Sequence, residues 1–489
     1  MLFTTIDFVI FFLVVLVSIA ILKNRKFQHI FLLLASYFFF YYTSNYLILL
    51  LIFSTILDFY LGKWIYKTKD LGMKKSLLVI SLAANLGLLG FFKYADFAIL
   101  QFNFLGEQFN LTDNIPFLNL ALPIGISFYT FQTISYTVDI YRGKLEPSKS
   151  LKEFALFVSF FPQLVAGPII RARHFLPQLR EKLNGNSEGL RQILFQEKNL
   201  KLGITIMSFG FFKKLFFADN MSLFVEQVFQ DPIGLESFTI ILATIAFGVQ
   251  IYADFSGYTD IAIGAALILG FKIPANFRKP YFAISPSDFW NRWHISLSTW
   301  LRDYFYIPLG GNKKSKEKTY LNLITVMVFG GLWHGASMNF IIWGALHGFY
   351  LIIHKSIKNR FSSLQTSPFL NSRVIKLFSI LITQYFVFLA WIPFRVHDID
   401  NMVYSMQKYI FIDFETTDTI NFLMNGHKIT MIILIIFFIL HYVSYRQGNL
   451  VEKIANLGLY RWGLFLICII CIILFFGIGS SNDFIYFQF

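Results

Sequence analysis

Two histidines, His294 and His334, lie in stretches of the sequence that are otherwise rich in apolar and aromatic residues. His334 follows Trp333 and is surrounded by small residues over positions 330–339, away from every basic segment. A neutral imidazole in such a place can take a proton from a hydroxyl group and so act as a general base. It can also be a hydrogen-bonded packing residue between two helices. Position alone leaves the two interpretations equally open.

His294 belongs to a polar and aromatic stretch, residues 285–303, that opens with a helix start signal. Ser285 can cap a helix whose first residue is Pro286, with Asp288 at the acidic position of a capping box. The spacing predicts one continuous helix from that point. Its aromatic and apolar face consists of Trp290, Trp293, Leu297, Trp300, Leu301 and Tyr304. Its other faces carry Asn291, Arg292, Ser298, Arg302 and Asp303.

The helix predicted over 285–303 has two interpretations. On an ideal helical wheel His294 falls within about 40–60° of the apolar face. An amphipathic helix anchored at the membrane surface by its tryptophans is the commoner arrangement. The functional alternative is a helix that carries His294 into a bundle of membrane helices beside that anchor.

Two carboxylates, Asp254 and Asp260, lie in a third apolar stretch. Six residues apart on a helix, they point to different faces, and Gly257 is expected to break the helix between them. A paired acid and base is therefore not expected here. Helix capping or hydrogen bonding to neighbouring polar groups is the favoured interpretation for both side chains.

The composition places these residues in a membrane protein. Of the 489 residues, 56% are hydrophobic, 19% are aromatic and only 14% are charged, and the mean hydropathy is +0.59. A soluble domain carries about 25% charged residues, so this chain has too little polar surface to face water. The same values exclude a disordered chain and a disulfide-rich secreted domain.

The net charge of +14 is a topology signal and does not indicate a nucleic-acid interface. Lysines and arginines cluster in short segments between apolar runs, whereas 94–141, 215–271 and 462–489 contain none. Such alternation is typical of cytoplasmic and external segments under the positive-inside rule. The first apolar run, residues 1–22, has its basic residues only after it, which predicts a retained span with the N-terminus outside.

Apolar runs of span length recur along the whole chain. A span needs about 20 residues, and the runs predict about eleven transmembrane helices together with shorter re-entrant or interfacial helices. Two neighbouring runs, 237–253 and 258–271, are counted separately. No polar stretch is long enough for a second domain, so residues 1–489 are expected to form a single membrane-embedded domain.

Several classes of chemistry lack their motifs. The sequence contains neither a phosphate-binding G-x-x-x-x-G-K-[ST] loop nor the G-x-S-x-G or H-E-x-x-H patterns of hydrolases and zinc proteases. A metal held by His294 and His334 would need further ligands that the sequence does not supply, so no metal is expected.

Taken together, the motif blocks resemble the membrane-bound O-acyltransferase family, in its bacterial polysaccharide O-acetylation branch, with alginate O-acetylation members as the nearest type. The blocks lie in a motif-rich core at about 115–350. They are 122–132 (LPIGISFYTFQ), 160–169 (FFPQLVAGPI), 209–214 (FGFFKK), 254–260 (DFSGYTD), 289–294 (FWNRWH), 306–312 (YIPLGGN) and 333–337 (WHGAS). Their number and order make the resemblance specific, although no single block would.

The resemblance implies an all-α bundle of membrane helices around a central tunnel, with His334 as the catalytic residue and His294 as the second polar residue of the site. Polar and aromatic residues taken to support that tunnel are Trp333, Asn339, Trp290, Arg292, Arg302, Asp303, Asp254 and Asp260. Acetyl-CoA is implied as the cytoplasmic acyl donor, with no bound cofactor. The protein would reside in a bacterial inner membrane.

The acceptor is expected to be an extracytoplasmic polysaccharide, reached through a separate extracytoplasmic acetyltransferase that receives the acetyl group. The sequence does not identify the polymer. Two alternatives remain: transfer of a longer acyl chain to a lipid or protein by the same family chemistry, and a transporter or flippase that performs no covalent step.

Overall fold

The computed structural model describes residues 1–109, 114–164, 167–184, 189–361, 372–477 and 484–485. Within these ranges the chain is helical and no strand occurs. Its backbone contacts form two compact units: Met1–Met207 with Ile261–Pro274, and Ser208–Asp260 with Ala275–Phe489. The expected single domain over 1–489 stays a prediction.

The first unit contains the N-terminal helices. They are α1 (Ile6–Ile21), α2 (Arg25–Ser44), α3 (Ile48–Lys67), α4 (Leu71–Gln108), α5 (Ile126–Tyr141), α6 (Leu151–Ser159), α7 (Phe161–Leu164), α8 (Ala172–Asn184) and α9 (Leu190–Leu194). The first turns of α10 (Glu197–Phe212) and the last turns of α12 (Ser237–Ile268) also belong to it.

A buried carboxyl group shows how the first unit satisfies polar side chains away from water. Asp58 on α3 is fully buried and accepts hydrogen bonds from Ser81 Oγ at 2.6 Å and from Asn85 Nδ2 at 2.8 Å, both on α4. Ser54 Oγ donates to Asn85 Oδ1 at 2.5 Å. This network ties α3 to α4, because an unsatisfied buried carboxyl group would destabilise the fold.

The second unit contains the remaining helices. They are α11 (Asp219–Gln230), α13 (Pro286–Trp290), α14 (Ile295–Leu301), α15 (Lys316–His334), α16 (Met338–Arg360), α17 (Arg373–Arg395), α18 (Ile399–Ile410), α19 (Thr417–Phe422), α20 (Lys428–Arg446), α21 (Leu450–Ala455) and α22 (Leu459–Phe476). Three π-helical turns occur in this unit, at Lys213–Ala218, Arg302–Tyr306 and Leu423–His427.

The predicted all-α polytopic membrane architecture is confirmed. Among the described residues, seven helical stretches are long and apolar enough to span a membrane, one of which contains both α2 and α3. This number is lower than the predicted eleven, partly because the runs 237–253 and 258–271 both lie on the single helix α12. Several of the other apolar runs form helices too short or too polar to be counted.

The predicted break at Gly257 is wrong, because α12 continues through this residue. Gly257 instead allows α12 to approach α10 closely: a Cβ atom there would lie 2.8 Å from the Gly210 carbonyl oxygen and 3.2 Å from the Lys214 backbone nitrogen. Small residues permit this kind of contact between membrane helices. The glycine is therefore required for helix packing and not for a change of backbone direction.

Replacing Gly257 with Ala is expected to push α12 away from α10 and to lower stability by about 1–3 kcal/mol, as overpacking does. The matched control is Gly463→Ala on α22, where a Cβ atom would meet nothing within 4 Å. Thermal unfolding of both purified variants in detergent tests the prediction. Equal unfolding temperatures for the two variants would contradict it.

Candidate active site

His334 is the last residue of α15 and is 4% exposed. Its position depends on close packing between α15 and α16. A Cβ atom on Gly331 would lie 2.1 Å from the Phe340 carbonyl oxygen, and one on Gly344 would lie 2.4 Å from the Met327 carbonyl oxygen. These contacts bring the two helix backbones together, so the imidazole at the end of α15 is held between helices of the second unit.

His294 is fully buried, but the predicted continuous helix over 285–303 is wrong. The capping signal is confirmed, because Ser285 Oγ accepts a hydrogen bond from the Asp288 backbone N–H at 3.1 Å. However, α13 ends at Trp290, and α14 begins only at Ile295. His294 lies at the junction with φ 43° and ψ 52°, in the left-handed region.

Asn276 holds the junction around His294 in place. Its carbonyl oxygen accepts from the Ile295 backbone N–H at 2.9 Å, and its Oδ1 accepts from the Ser296 N–H at 3.1 Å. These bonds satisfy two of the donors that a helix N-terminus leaves without intrahelical partners. A left-handed conformation is uncommon for a residue other than glycine, and such strain is frequent at functional sites.

The fold brings the two histidines together. Their ring centroids lie 6.3 Å apart, and the Trp333 ring lies 5.8 Å from His294 and 5.0 Å from His334. Phe255 packs against His294 at 4.7 Å. His334 also contacts aromatic rings, and its neighbours are Trp343 at 5.1 Å and Phe394 at 5.2 Å. The pair therefore lies in a buried aromatic enclosure.

Burial keeps His294 in its neutral form. It lowers the pKa of this imidazole to about 3, because transfer out of water disfavours the charged state. The residue lies outside the candidate membrane spans. At neutral pH the ring therefore offers one N–H donor and one nitrogen acceptor.

Asp254 lies close to this enclosure but is part of a buried ion cluster. Lys214 Nζ lies 2.8 Å from Asp254 Oδ1 and 2.9 Å from Asp219 Oδ1, and all three side chains are 2% exposed. Asp254 Oδ2 accepts a hydrogen bond from the Ile485 backbone N–H at 2.7 Å. Asp254 thus connects α12 to Ile485. The next residue on α12 is Phe255, whose ring packs on His294.

Asp260 points elsewhere, as the six-residue spacing predicts. Its Oδ2 lies 2.6 Å from Lys213 Nζ, so adjacent lysines near the end of α10 each pair with a different carboxylate. Arg292 forms an ion pair with Asp288 at 2.9 Å. One cavity of the second unit is lined by Asp260, Lys213 and Arg292. The aromatic rings that contact the two histidines come from other residues.

The remaining predicted residues divide into neighbours of the site and distant groups. The Trp290 ring packs 5.8 Å from Trp343, which in turn contacts His334. Asn339 Nδ2 donates to the His397 carbonyl oxygen at 3.0 Å, so it ties the start of α16 to the residues after α17.

Arg302 and Asp303 pair with each other at 2.8 Å, and the Arg302 side chain is 58% exposed. That exposure places the pair at the surface of the second unit.

Sequence reasoning missed several residues that form the site. The sequence marks Lys214 only as part of a motif block, although Asp254 on the candidate span α12 requires a cation within reach. Trp343 and Phe394 were not identified. They come from α16 and α17, and aromatic residues are too common in this chain for their type to single them out.

Comparison with known proteins shows the family of this chain. The model of the membrane-bound O-acyltransferase family matches residues 144–392, about half of the chain. The chain belongs to this family. It is 35% identical over 407 residues to the peptidoglycan O-acetyltransferase of Helicobacter pylori, covering 78% of this chain and 73% of the relative.

Two further relatives show the range of the family. The probable alginate O-acetylase AlgI of Pseudomonas aeruginosa is 35% identical over 82% of this chain and 73% of its own length. The teichoic acid D-alanyltransferase of Bacillus subtilis is 28% identical over 55% of this chain and 67% of its own. The chain is thus a multi-pass membrane O-acyltransferase.

Replacing Lys214 with Met is expected to destabilise the protein strongly, because Asp219 and Asp254 would remain buried without their cation. Removing one partner from a buried ion pair costs about 3–5 kcal/mol. Arg302→Gln disrupts an exposed pair and is expected to cost less than about 1 kcal/mol. Thermal unfolding monitored by tryptophan fluorescence measures both variants.

Asp219→Asn provides a milder test if the Lys214→Met protein does not accumulate, since Lys214 then keeps Asp254 as its partner. This variant is expected to unfold at a temperature between those of the wild type and Lys214→Met. A Lys214→Met protein as stable as Arg302→Gln would show that the ion cluster does not hold α12 against the helical stretch of Lys214 and Asp219.

Proposed function

We propose that this O-acyltransferase takes acetyl groups from cytoplasmic acetyl-CoA and passes them across the membrane for O-acetylation of an extracytoplasmic polysaccharide. The observation that carries the proposal is the buried pair of His294 and His334, with ring centroids 6.3 Å apart. The pair lies in a chain that is 35% identical to relatives named for O-acetylation of peptidoglycan and alginate.

In the proposed reaction His334 acts as general base. Its unprotonated ring nitrogen takes the proton of the acceptor hydroxyl, and the hydroxyl oxygen attacks the carbonyl carbon of the acetyl thioester. The carbon–sulfur bond then breaks, and the departing thiolate takes the proton back from the His334 imidazolium. The products are an acetyl ester and a free thiol, so the step needs no oxidant, reductant or external proton.

His294 is assigned the second role at this site. As a neutral ring it can donate one hydrogen bond, either to the acceptor hydroxyl or to the carbonyl oxygen as negative charge develops there. A substrate atom could form one hydrogen bond to a nitrogen of each histidine. The two nitrogens could then lie up to about 5.6 Å apart, which is twice the usual hydrogen-bond length. The short separation of the rings supports joint action on one substrate atom.

Burial of the pair restricts what can reach it. His294 is 0% exposed and His334 is 4% exposed, so a hydroxyl group must arrive on a slender arm and a bulky polymer cannot approach. This limit supports a relay, in which a separate extracytoplasmic acetyltransferase receives the acetyl group and transfers it to the polysaccharide. The alternation of basic and non-basic segments supports an inner-membrane location with the N-terminus outside.

His334→Ala is expected to lower acetyl transfer at least about 100-fold, because loss of a general base typically costs 10²–10⁴-fold. The assay uses bacterial membranes that contain the protein and its natural partners, supplied with labelled acetyl-CoA, and measures label on surface polymer. His354→Ala is the matched control, since it removes a histidine near the other end of α16, beside Ser287. Expression and size-exclusion profiles must be equal.

Wild-type transfer by the His334→Ala variant would remove this residue from the mechanism and direct attention to His294. The same assay distinguishes the alternatives. A transporter would move acetylated substrate without forming a new ester and would tolerate the substitution. A lipid or protein acyltransferase would prefer long-chain thioesters over acetyl-CoA.

The relay predicts that the purified chain alone, reconstituted with acetyl-CoA and polysaccharide, forms no O-acetyl polymer. Addition of the detergent-solubilised fraction of membranes lacking the chain is expected to restore transfer, because that fraction supplies the partner. Polymer acetylation by the purified chain unaided would refute the relay while leaving acetyl transfer itself intact.

A further inference from the structure

The second unit contains a cavity of about 610 Å³ that does not include the histidine pair. It lies among the end of α10, the middle of α12, the residues just before Pro280, and the segment from α20 to α21. Tyr252 forms part of its wall, and the ring of this residue packs 6.2 Å from Trp293, the neighbour of His294. Packed aromatic rings thus link the cavity wall to the neighbour of His294.

One side of this cavity is strongly basic. Lys213, Arg278, Lys279 and Arg292 line it, against the single acid Asp260. Lys213 is neutralised by Asp260, and Arg292 is paired with Asp288. In the part of the chain that the structure describes, Arg278 and Lys279 have no carboxylate within ion-pair distance. Two positive charges are therefore available to an anionic ligand.

A buried histidine adds a neutral polar group to the basic side. His441 on α20 lines the cavity and is 7% exposed. Its ring is stacked between Phe282 at 5.2 Å and Phe437 at 5.3 Å. Its Nε2 atom has no hydrogen-bond partner among the described residues. Buried polar atoms are normally satisfied, so this nitrogen has a hydrogen-bonding position to offer to a ligand.

The rest of the cavity wall is largely apolar. It consists of the rings of Phe209, Phe212, Phe217 and Phe437 together with Leu440 and Val443. A small hydrophilic anion would leave these rings without a partner. A ligand that combines an anionic group with a hydrocarbon portion would contact both sides of the cavity at once, as mixed sites of this kind do.

We propose that this cavity binds the phosphate group and upper acyl chains of an anionic phospholipid. The phosphate would lie between Arg278 and Lys279 and accept from His441 Nε2, and the hydrocarbon would lie on the phenylalanine side. The location fits this ligand: α20 ends at Arg446, where the basic residues of 446–453 indicate the cytoplasmic surface. Basic pockets between membrane helices on that surface are suited to anionic headgroups.

Occupancy of the cavity would support the wall behind the active site. Lys279 Nζ already donates to the Ser444 carbonyl oxygen at the end of α20, and Tyr252 and Tyr281 both pack on Trp293. A lipid that joined α20 to the loop of Arg278 and Lys279 would hold these rings against Trp293. The bound lipid is a positioning element for His294 and takes no part in the chemistry.

The test titrates the purified full-length protein in neutral detergent with phosphatidylglycerol, phosphatidylcholine, inorganic phosphate or coenzyme A, and follows binding by native mass spectrometry and by the unfolding temperature. Phosphatidylglycerol is expected to bind and to raise the unfolding temperature. The double variant Arg278→Gln/Lys279→Asn is expected to bind it at least about tenfold more weakly. Asn is chosen because Lys279 has φ 54°, and Asn tolerates the left-handed region.

Two further variants make the test specific. Lys453→Gln removes an exposed charge on α21 outside the cavity and is expected to bind phosphatidylglycerol as the wild type does. His441→Phe keeps an aromatic ring between Phe282 and Phe437 but removes the nitrogen, and is expected to bind more weakly. If the double variant does not fold, Arg278→Gln alone replaces it in the binding test. The Arg278 side chain is exposed, so this single change should not disturb folding.

Three outcomes would overturn the proposal. Equal binding of phosphatidylcholine would show that the basic side does not recognise the headgroup charge. Binding of coenzyme A or inorganic phosphate without phosphatidylglycerol would assign the basic side to a soluble phosphate. Equal phosphatidylglycerol affinity for the double variant and Lys453→Gln would show that the lipid binds outside this cavity. None of these outcomes depends on acetyl transfer.

Discussion

The arrangement of the second unit depends on one buried cation. Lys214 lies between Asp219 and Asp254 in a place where all three side chains are 2% exposed. Charges taken out of water are stable only when their partners are held at contact distance. The cluster therefore holds α12 against the continuous helical stretch that contains Lys214 and Asp219. Gly257 makes that placement sterically possible, because any side chain there would separate α12 from α10.

The candidate active site builds on this frame in two ways. Phe255 follows Asp254 on α12, so the ion cluster also sets the position of the ring that packs on His294. On the opposite side, glycines between α15 and α16 let their backbones approach until His334 comes within 6.3 Å of His294. Two packing constraints thus produce one pair of buried imidazoles.

Burial gives the site its chemical character and also its limits. Exclusion of water keeps His294 neutral and strengthens each hydrogen bond that the pair can make to a reacting group. Under the proposed relay, the same enclosure admits only a slender acceptor. Relatives named for alginate, peptidoglycan and teichoic acid would then share one membrane-embedded reaction, and the polymer would be selected elsewhere.

Much of this protein could be predicted from local sequence properties. Composition and charge alternation indicated a polytopic helical membrane protein, because a bilayer requires long apolar helices and the cytoplasmic side favours basic loops. The helix start at Ser285 and the separate directions of Asp254 and Asp260 followed from helical geometry. The motif blocks indicated the family and singled out His294 and His334.

The tertiary structure decided what depends on distant partners. The break before Ile295 cannot be read from helical spacing, because hydrogen bonds from Asn276 and the packing around the junction override local helix preference. Lys214 became a central residue only when Asp254 of α12 approached it, because Asp219 lies five residues further along the same helical stretch. Helical period and composition report which face of a helix is apolar, but the residues that meet across helices are determined by how the chain packs in three dimensions.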